Sequence, residues 1–174
     1  MPANVITNVQ FRSSKWKIYL TDVENLCQQA ASAVWQIAFE SDKIYEVTIA
    51  LADDIMVQEL NLKYRQKNKP TNVLSFSSGL DKNPFCNDIP TLGDIVLAFE
   101  TIQAEAPENV SDHLCHLVVH GCLHLLGYNH EDNSGARKME TMEIKILKVL
   151  GIKNPYDQDF GLIVNQNSKS KNWC

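Results

Sequence analysis

The sequence predicts one α/β domain, α+β-like in arrangement: a small mixed β-sheet of about four strands, packed with helices around a central buried helix. Three observations carry that prediction. Short alternating or wholly apolar runs at Val5–Phe11, Tyr45–Leu51, Val73–Phe76 and Ile95–Phe99 are separated by helical patterns. From Leu114 to Gly127 every residue is histidine, glycine or apolar, as expected of a helix covered on nearly all sides. The chain has 174 residues, enough for a sizeable core in one domain. The domain is expected to span residues 1–156, with 157–174 a polar, disordered tail.

Val5–Phe11 alternates weakly and reads as the first strand. Thr21 to Glu24 has the T-x-x-E pattern of a capping box. It opens a helix whose apolar rows are Leu26, Ala30, Val34 and Cys27, Ala31, Trp35, Phe39. Strict alternation over Tyr45–Leu51 predicts a half-buried strand. Asp53 can cap the next helix, with Met56, Val57, Leu60 and Tyr64 on its buried face. Val73–Phe76 is a third strand, and Leu80–Pro90 reads as a polar, mobile loop. Ile95–Phe99 is apolar on both faces, as in a central strand covered on both sides, with Asp94 at its start. Pro107, Asn109 and Ser111 introduce the histidine-rich helix. Asp132–Ser134 cap a last helix with the apolar row Ala136, Met139, Met142, Ile146 and Leu150, stopped by Gly151 and Pro155.

No apolar run approaches the roughly 18 residues of a membrane helix, and the first residues lack a basic-then-apolar leader. Five scattered cysteines with no C-x-x-C pair suit a reducing compartment. A cytoplasmic protein without a membrane partner is therefore expected. The formal net charge of -5 gives no general attraction to nucleic acid, although a local basic patch would suffice for binding.

All five histidines lie between His113 and His130. His113, His116, His120 and His124 fall on one strip of the predicted helix. A polar strip on a buried helix needs partners, since an unpaired buried polar group costs roughly 1–3 kcal/mol. His120 and His124, one turn apart, can converge on one divalent ion. His116 lies two turns from His124, about 12 Å along the axis, and cannot share that ion. Gly127 can end the helix in a left-handed conformation and let the chain bring back His130. Three neutral imidazoles with a fourth position open to water form a catalytic rather than a structural zinc site. The spacing matches the metzincin pattern, except that Gly121 replaces the glutamate that acts as base in metallopeptidases. Glycine inside a helix suggests that a strand or a substrate passes close to the backbone there.

Lys63, Arg65, Lys67 and Lys69 place four cations in seven residues. They suit a solvated helix end, where cations favour the negative pole of the dipole. The sharper reading is a phosphate grip, with Arg65 as the planar fork and Tyr64, if its ring is not buried, able to stack on a base.

The segments NLKYRQKNKPTNVLSF (Asn61 to Phe76), LGDIV (Leu92 to Val96) and HGCLHLLGYNH (His120 to His130) resemble, in that order, the motifs of the YbeY family of bacterial endoribonucleases. The resemblance runs from the first helix to Pro155. It implies one zinc ion on His120, His124 and His130, a functional Arg65, and cleavage of single-stranded RNA. It also implies maturation of the 16S ribosomal RNA 3′ end, action on the small ribosomal subunit and ribosome quality control, with no DNA partner. The family usually carries aspartate before the last histidine, where this chain has Asn129.

The expected chemistry is metal-assisted phosphodiester hydrolysis, with His120 and Arg65 at the reaction centre and Lys63, Lys67 and Lys69 binding substrate. Asn129 and Asp94 are expected to support the ligands, Asp94 also as a proton acceptor. Water and a ribose 2′-hydroxyl are both open as nucleophile. Two other readings fit parts of the sequence: a peptidase-like metallohydrolase, and a non-enzymatic ribosome assembly factor with a structural metal.

Overall fold

A computed structural model of the chain describes residues 4–78 and 89–157. The expected mobile loop falls mostly outside these residues, and so does all of the expected tail except Asp157. Strands β1 (Asn4–Phe11), β2 (Ile44–Ala52), β3 (Val73–Ser77) and β4 (Thr91–Ala98) form one sheet in the order β1-β2-β4-β3. β1 pairs with β2, and β2 with β4, in parallel; β3 runs antiparallel to β4 at the edge. This is the mixed four-stranded sheet that the sequence predicts.

Helices α1 (Lys15–Tyr19), α2 (Val23–Ala38), α3 (Asp54–Arg65), α4 (Phe99–Glu105), α5 (Val110–Leu125) and α6 (Asn133–Val149) surround it. α2 and α5 pack together against one sheet face, and Ile49, Leu51, Ile95 and Leu97 of the strands join their core. α3 covers the other face, where Val57 meets Ala50, Ala52, Leu74, Val96 and Ala98. β2 is therefore covered on both faces in its second half, rather than half-buried throughout. β4 is the strand covered on both sides that its composition foretells.

Twelve of the sixteen residues of α5 are buried, histidines included. Leu114, Leu117 and Leu123 are fully enclosed, each stabilising the fold by about 1.5–3 kcal/mol through removal of apolar surface from water. Asn109 caps the helix by accepting from the Asp112 amide.

Several local expectations need correction. Asp22, not Thr21, stands at the start of α2, and no side-chain capping bond forms there. Tyr64 is 57% exposed, and its expected place on the buried face of α3 is taken by Asn61. Phe99 belongs to α4 rather than to the strand before it. The short helices α1 and α4 carry no pattern of sufficient length to announce them. α1 owes its position to Trp16, which is wholly buried and donates its indole N–H to the Ala52 carbonyl at 2.7 Å.

Cys27, Cys115 and Cys122 are buried free thiols. Burial pushes the Cys115 thiol up to about 11 and raises Cys27 and Cys122 as well. The reactive thiolate is therefore scarce at all three. Mildly alkaline iodoacetamide is expected to leave them unmodified in the native protein and to label them after denaturation, as read by peptide mass mapping. Rapid native labelling of any of the three would contradict their burial.

Candidate metal centre

The last two turns of α5 and the turn that follows build the site. His120 and His124 project from the same side of the helix. Gly127 adopts φ +90°, and two bonds close the helix end: Gly127 N–H to the His124 carbonyl and Tyr128 N–H to the Leu123 carbonyl, both 3.0 Å. The reversal brings His130 back. One nitrogen from each of His120, His124 and His130 then lies within 4.8 Å of the others. The predicted triad is brought together, and it can hold a metal ion.

The hydrogen bonds around the rings decide where their protons sit. His120 Nδ1 is 2.7 Å from Glu143 Oε1. An ionised carboxylate only accepts, so His120 Nδ1 carries a proton, and in the neutral ring Nε2 keeps the lone pair. His124 Nδ1 is 2.9 Å from the Tyr128 carbonyl oxygen, which also only accepts. The two Nε2 atoms face each other at 3.0 Å, lone pair toward lone pair. His130 Nε2 is buried with no hydrogen-bond partner. Such an arrangement is unfavourable for the protein alone and suits a shared cation. Two nitrogens bound tetrahedrally at 2.0–2.1 Å would stand about 3.3 Å apart.

The electrostatics agree. Burial, followed by repulsion from His120 whenever that ring is protonated, lowers the His124 pKa to about 4, so this imidazole is neutral near pH 7 and its lone pair is available. Burial alone would raise the Glu143 pKa. The hydrogen bonds of His116 and His120, and their charges, outweigh burial and hold the carboxyl below its usual range. Burial and then the Glu143 charge push Tyr156 upward, so its hydroxyl stays protonated and donates to Glu143 Oε2.

A cleft of about 300 Å³ opens in front of His120 and His124. Val73, Ser75 and Ser77 of the edge strand, with Arg65, line it together with His120, His124, Leu125, Tyr128 and Asn129. Arg65 closes α3, and Gln66 after it turns the chain with φ 58°. Buried Asn61 donates to the Lys69 carbonyl at 2.8 Å and braces the segment between them. Gly121 explains how β3 comes so close. A Cβ there would lie 3.0 Å from Ile95 Cγ2 and 3.1 Å from Ser75 Oγ. The neighbour inferred from this glycine is the sheet rather than a substrate.

Lys63, Lys67 and Lys69 are exposed and do not line this cleft. Lys63 Nζ sits 5.0 Å from the centroid of the Tyr64 ring, and that ring meets Phe76 edge-on at 5.1 Å. Asn129 lines the cleft, and its Oδ1 packs against Gly135 at the start of α6. Asp94 is not brought to the histidines. It is exposed, and alternation along β4 puts it on the face of Val96, opposite Ile95, which packs toward α5. His116 pairs with Glu143 Oε2 at 3.2 Å, away from the triad as its spacing requires.

Sequence reasoning missed Glu143 and Tyr156. Glu143 follows Met139 by four residues and precedes Ile146 by three, so a charge stands in the apolar row of α6. That misplaced charge was the available signal.

A family model described as Endoribonuclease YbeY matches residues 8–151. Endoribonuclease YbeY of Paramagnetospirillum magneticum is 45% identical over 148 residues, covering 82% of this chain and 90% of that protein. The protein of the same name from Alteromonas mediterranea is 48% identical over 132 residues, covering 74% and 80%. The solution structure of TM1509 from Thermotoga maritima shares the fold with TM-score 0.53 and 20% identity, over 95% of this chain and all of that one.

Proposed function

The chain belongs to the YbeY endoribonuclease family, and from that premise we propose that it is a zinc-dependent endoribonuclease of single-stranded RNA. Its substrate is the 3′ end of 16S ribosomal RNA on the small ribosomal subunit, cut in the cytoplasm during maturation and quality control. The observation that carries the metal reading is the pair of facing Nε2 lone pairs at 3.0 Å beside the unpartnered His130 Nε2. Zinc would be held by His120, His124 and His130, and when bound it supplies Lewis-acid polarisation and water activation.

The residues of the chain supply the rest. Arg65 lines the same cleft as His120 and His124, where its planar fork can grip a phosphate and offset charge that builds up on it. Val73 and Leu125 add apolar lining, which strengthens those electrostatic contacts. Exposed Lys63, Lys67 and Lys69 extend positive charge beyond the cleft for the flanking phosphates. Exposed Tyr64 offers a base a stacking surface. Among the described residues no helix is long and apolar enough to cross a membrane.

The test is elemental analysis of purified protein beside cleavage of an unstructured RNA. Bound zinc is expected, with activity lost to a chelator and restored by zinc; chelator-resistant cleavage would refute the metal role. Arg65→Ala is expected to lower kcat about 10²–10³-fold, the scale for removing one charge-stabilising donor, with metal content unchanged. An effect confined to KM would reduce Arg65 to a binding role.

A further inference from the structure

Behind the triad lies a buried polar network that no metal ligand explains. The Glu143 side chain is 1% exposed, yet it meets three polar groups: His120 Nδ1 at 2.7 Å, His116 Nε2 at 3.2 Å and the Tyr156 hydroxyl. A buried carboxylate persists only when such partners satisfy it. Its neighbours in the α6 core row, Met139, Ile146 and Leu147, are apolar. Packing alone would place another apolar residue at this position.

We propose that Glu143 is the positioning residue of the metal cluster, fixing the ring orientation and the Nδ1–H tautomer of His120. The inference rests on the metal reading above. The competing tautomer shows what Glu143 prevents. With its proton on Nε2, His120 would donate to the His124 Nε2 lone pair across 3.0 Å and fill the cation's place. The same tautomer would turn a bare Nδ1 lone pair toward the Glu143 oxygen at 2.7 Å, which is repulsive. The carboxylate therefore selects the metal-ready state before any ion arrives. It also places a negative charge behind one ligand, which raises that imidazole's basicity and partly balances a divalent cation. His116 from α5 and Tyr156 from the segment after α6 hold the carboxylate from two further directions.

The test compares wild type, Glu143→Met, which removes the acceptor, and Glu143→Gln, which keeps an acceptor oxygen without the charge. Zinc affinity is read by competition with a chromophoric chelator. The His120 tautomer is read in metal-free protein by long-range ¹H–¹⁵N NMR. Glu143→Met is expected to bind zinc about 10–100-fold more weakly, the usual cost of losing an outer partner of a metal-bound histidine, and to lose the Nδ1–H preference at His120 alone. Glu143→Gln is expected to recover the tautomer and part of the affinity. Wild-type affinity together with a wild-type tautomer in folded Glu143→Met overturns the proposal. Should that variant fail to fold, the metal-free wild type and Glu143→Gln decide: an Nε2–H tautomer at His120 in wild type, or wild-type affinity in Glu143→Gln without the Nδ1–H preference, overturns it. If wild-type protein itself binds no zinc, the metal reading fails and this one with it. That result is distinct from normal binding in every variant.

Discussion

His124→Ala is expected to abolish the zinc-dependent rise in thermal stability and to lower RNA cleavage about 10³-fold, the equivalent of several kcal/mol of metal-supplied stabilisation. The metal-free variant is expected to stay folded. His124 sits in the last turn of α5, and its Nδ1 bond to the Tyr128 carbonyl joins it to its own helix end. Removing its ring also removes one of two lone pairs that face each other at 3.0 Å, which offsets part of the lost packing. In wild type, zinc at 100 times its dissociation constant should add about 2.7 kcal/mol, or roughly 5–10 °C in a domain of this size. Thermal scans of both proteins with zinc and with chelator read the difference. A chelated variant already unfolded at room temperature would show His124 to be structural, as the assembly-factor reading requires.

Gly93→Ala is expected to cost more than about 3 kcal/mol, near the upper end for single substitutions. Gly93 holds φ +139°, a backbone region that side chains rarely enter. A Cβ there would stand 2.1 Å from the Phe76 carbonyl oxygen and 3.0 Å from Leu125 Cδ2. The first obstacle is backbone of β3, the residue before Ser77, which pairs with Gly93 across the ladder, and it cannot rotate away. The register of β2 against β4 also shifts beside this glycine, between Glu46 and Val47. Relief requires β3 to move, and β3 forms one wall of the cleft that holds Arg65 and the histidines. Urea denaturation measures the loss directly. A change below about 1 kcal/mol would mean that the strands separate far more easily than their packing implies.

The sequence made the metal triad readable because its evidence is local. His120, His124, Gly127 and His130 sit within eleven residues, and helix geometry with one left-handed residue converts that spacing into convergence. The Asp53 cap was legible for the same reason, since its oxygen accepts from the Met56 amide three residues on. Glu143 and Tyr156 were not legible as partners. Their pairing depends on His116 and His120, which lie 27 and 23 residues before Glu143, and the charge in the apolar row of α6 does not say what it meets across the core. Asp94 read as the entry to a central strand, whereas it lies within β4, where alternation turns it to the face opposite Ile95. Arg65 lies between these cases. Its helix was predictable, but its meeting with the histidines depends on how β3 returns beside α5.

The sheet order has a consequence for synthesis. β2 cannot gain its second neighbour until β4 has been made, because β4 lies between β2 and β3. The three ligands and Glu143 all follow β4 in the chain. A polypeptide that emerges N-terminus first, and must complete non-local strand pairing before its core closes, acquires its metal pocket late. A nascent copy still attached to a translating ribosome therefore carries the basic Lys63–Lys69 segment before it has any means to cut.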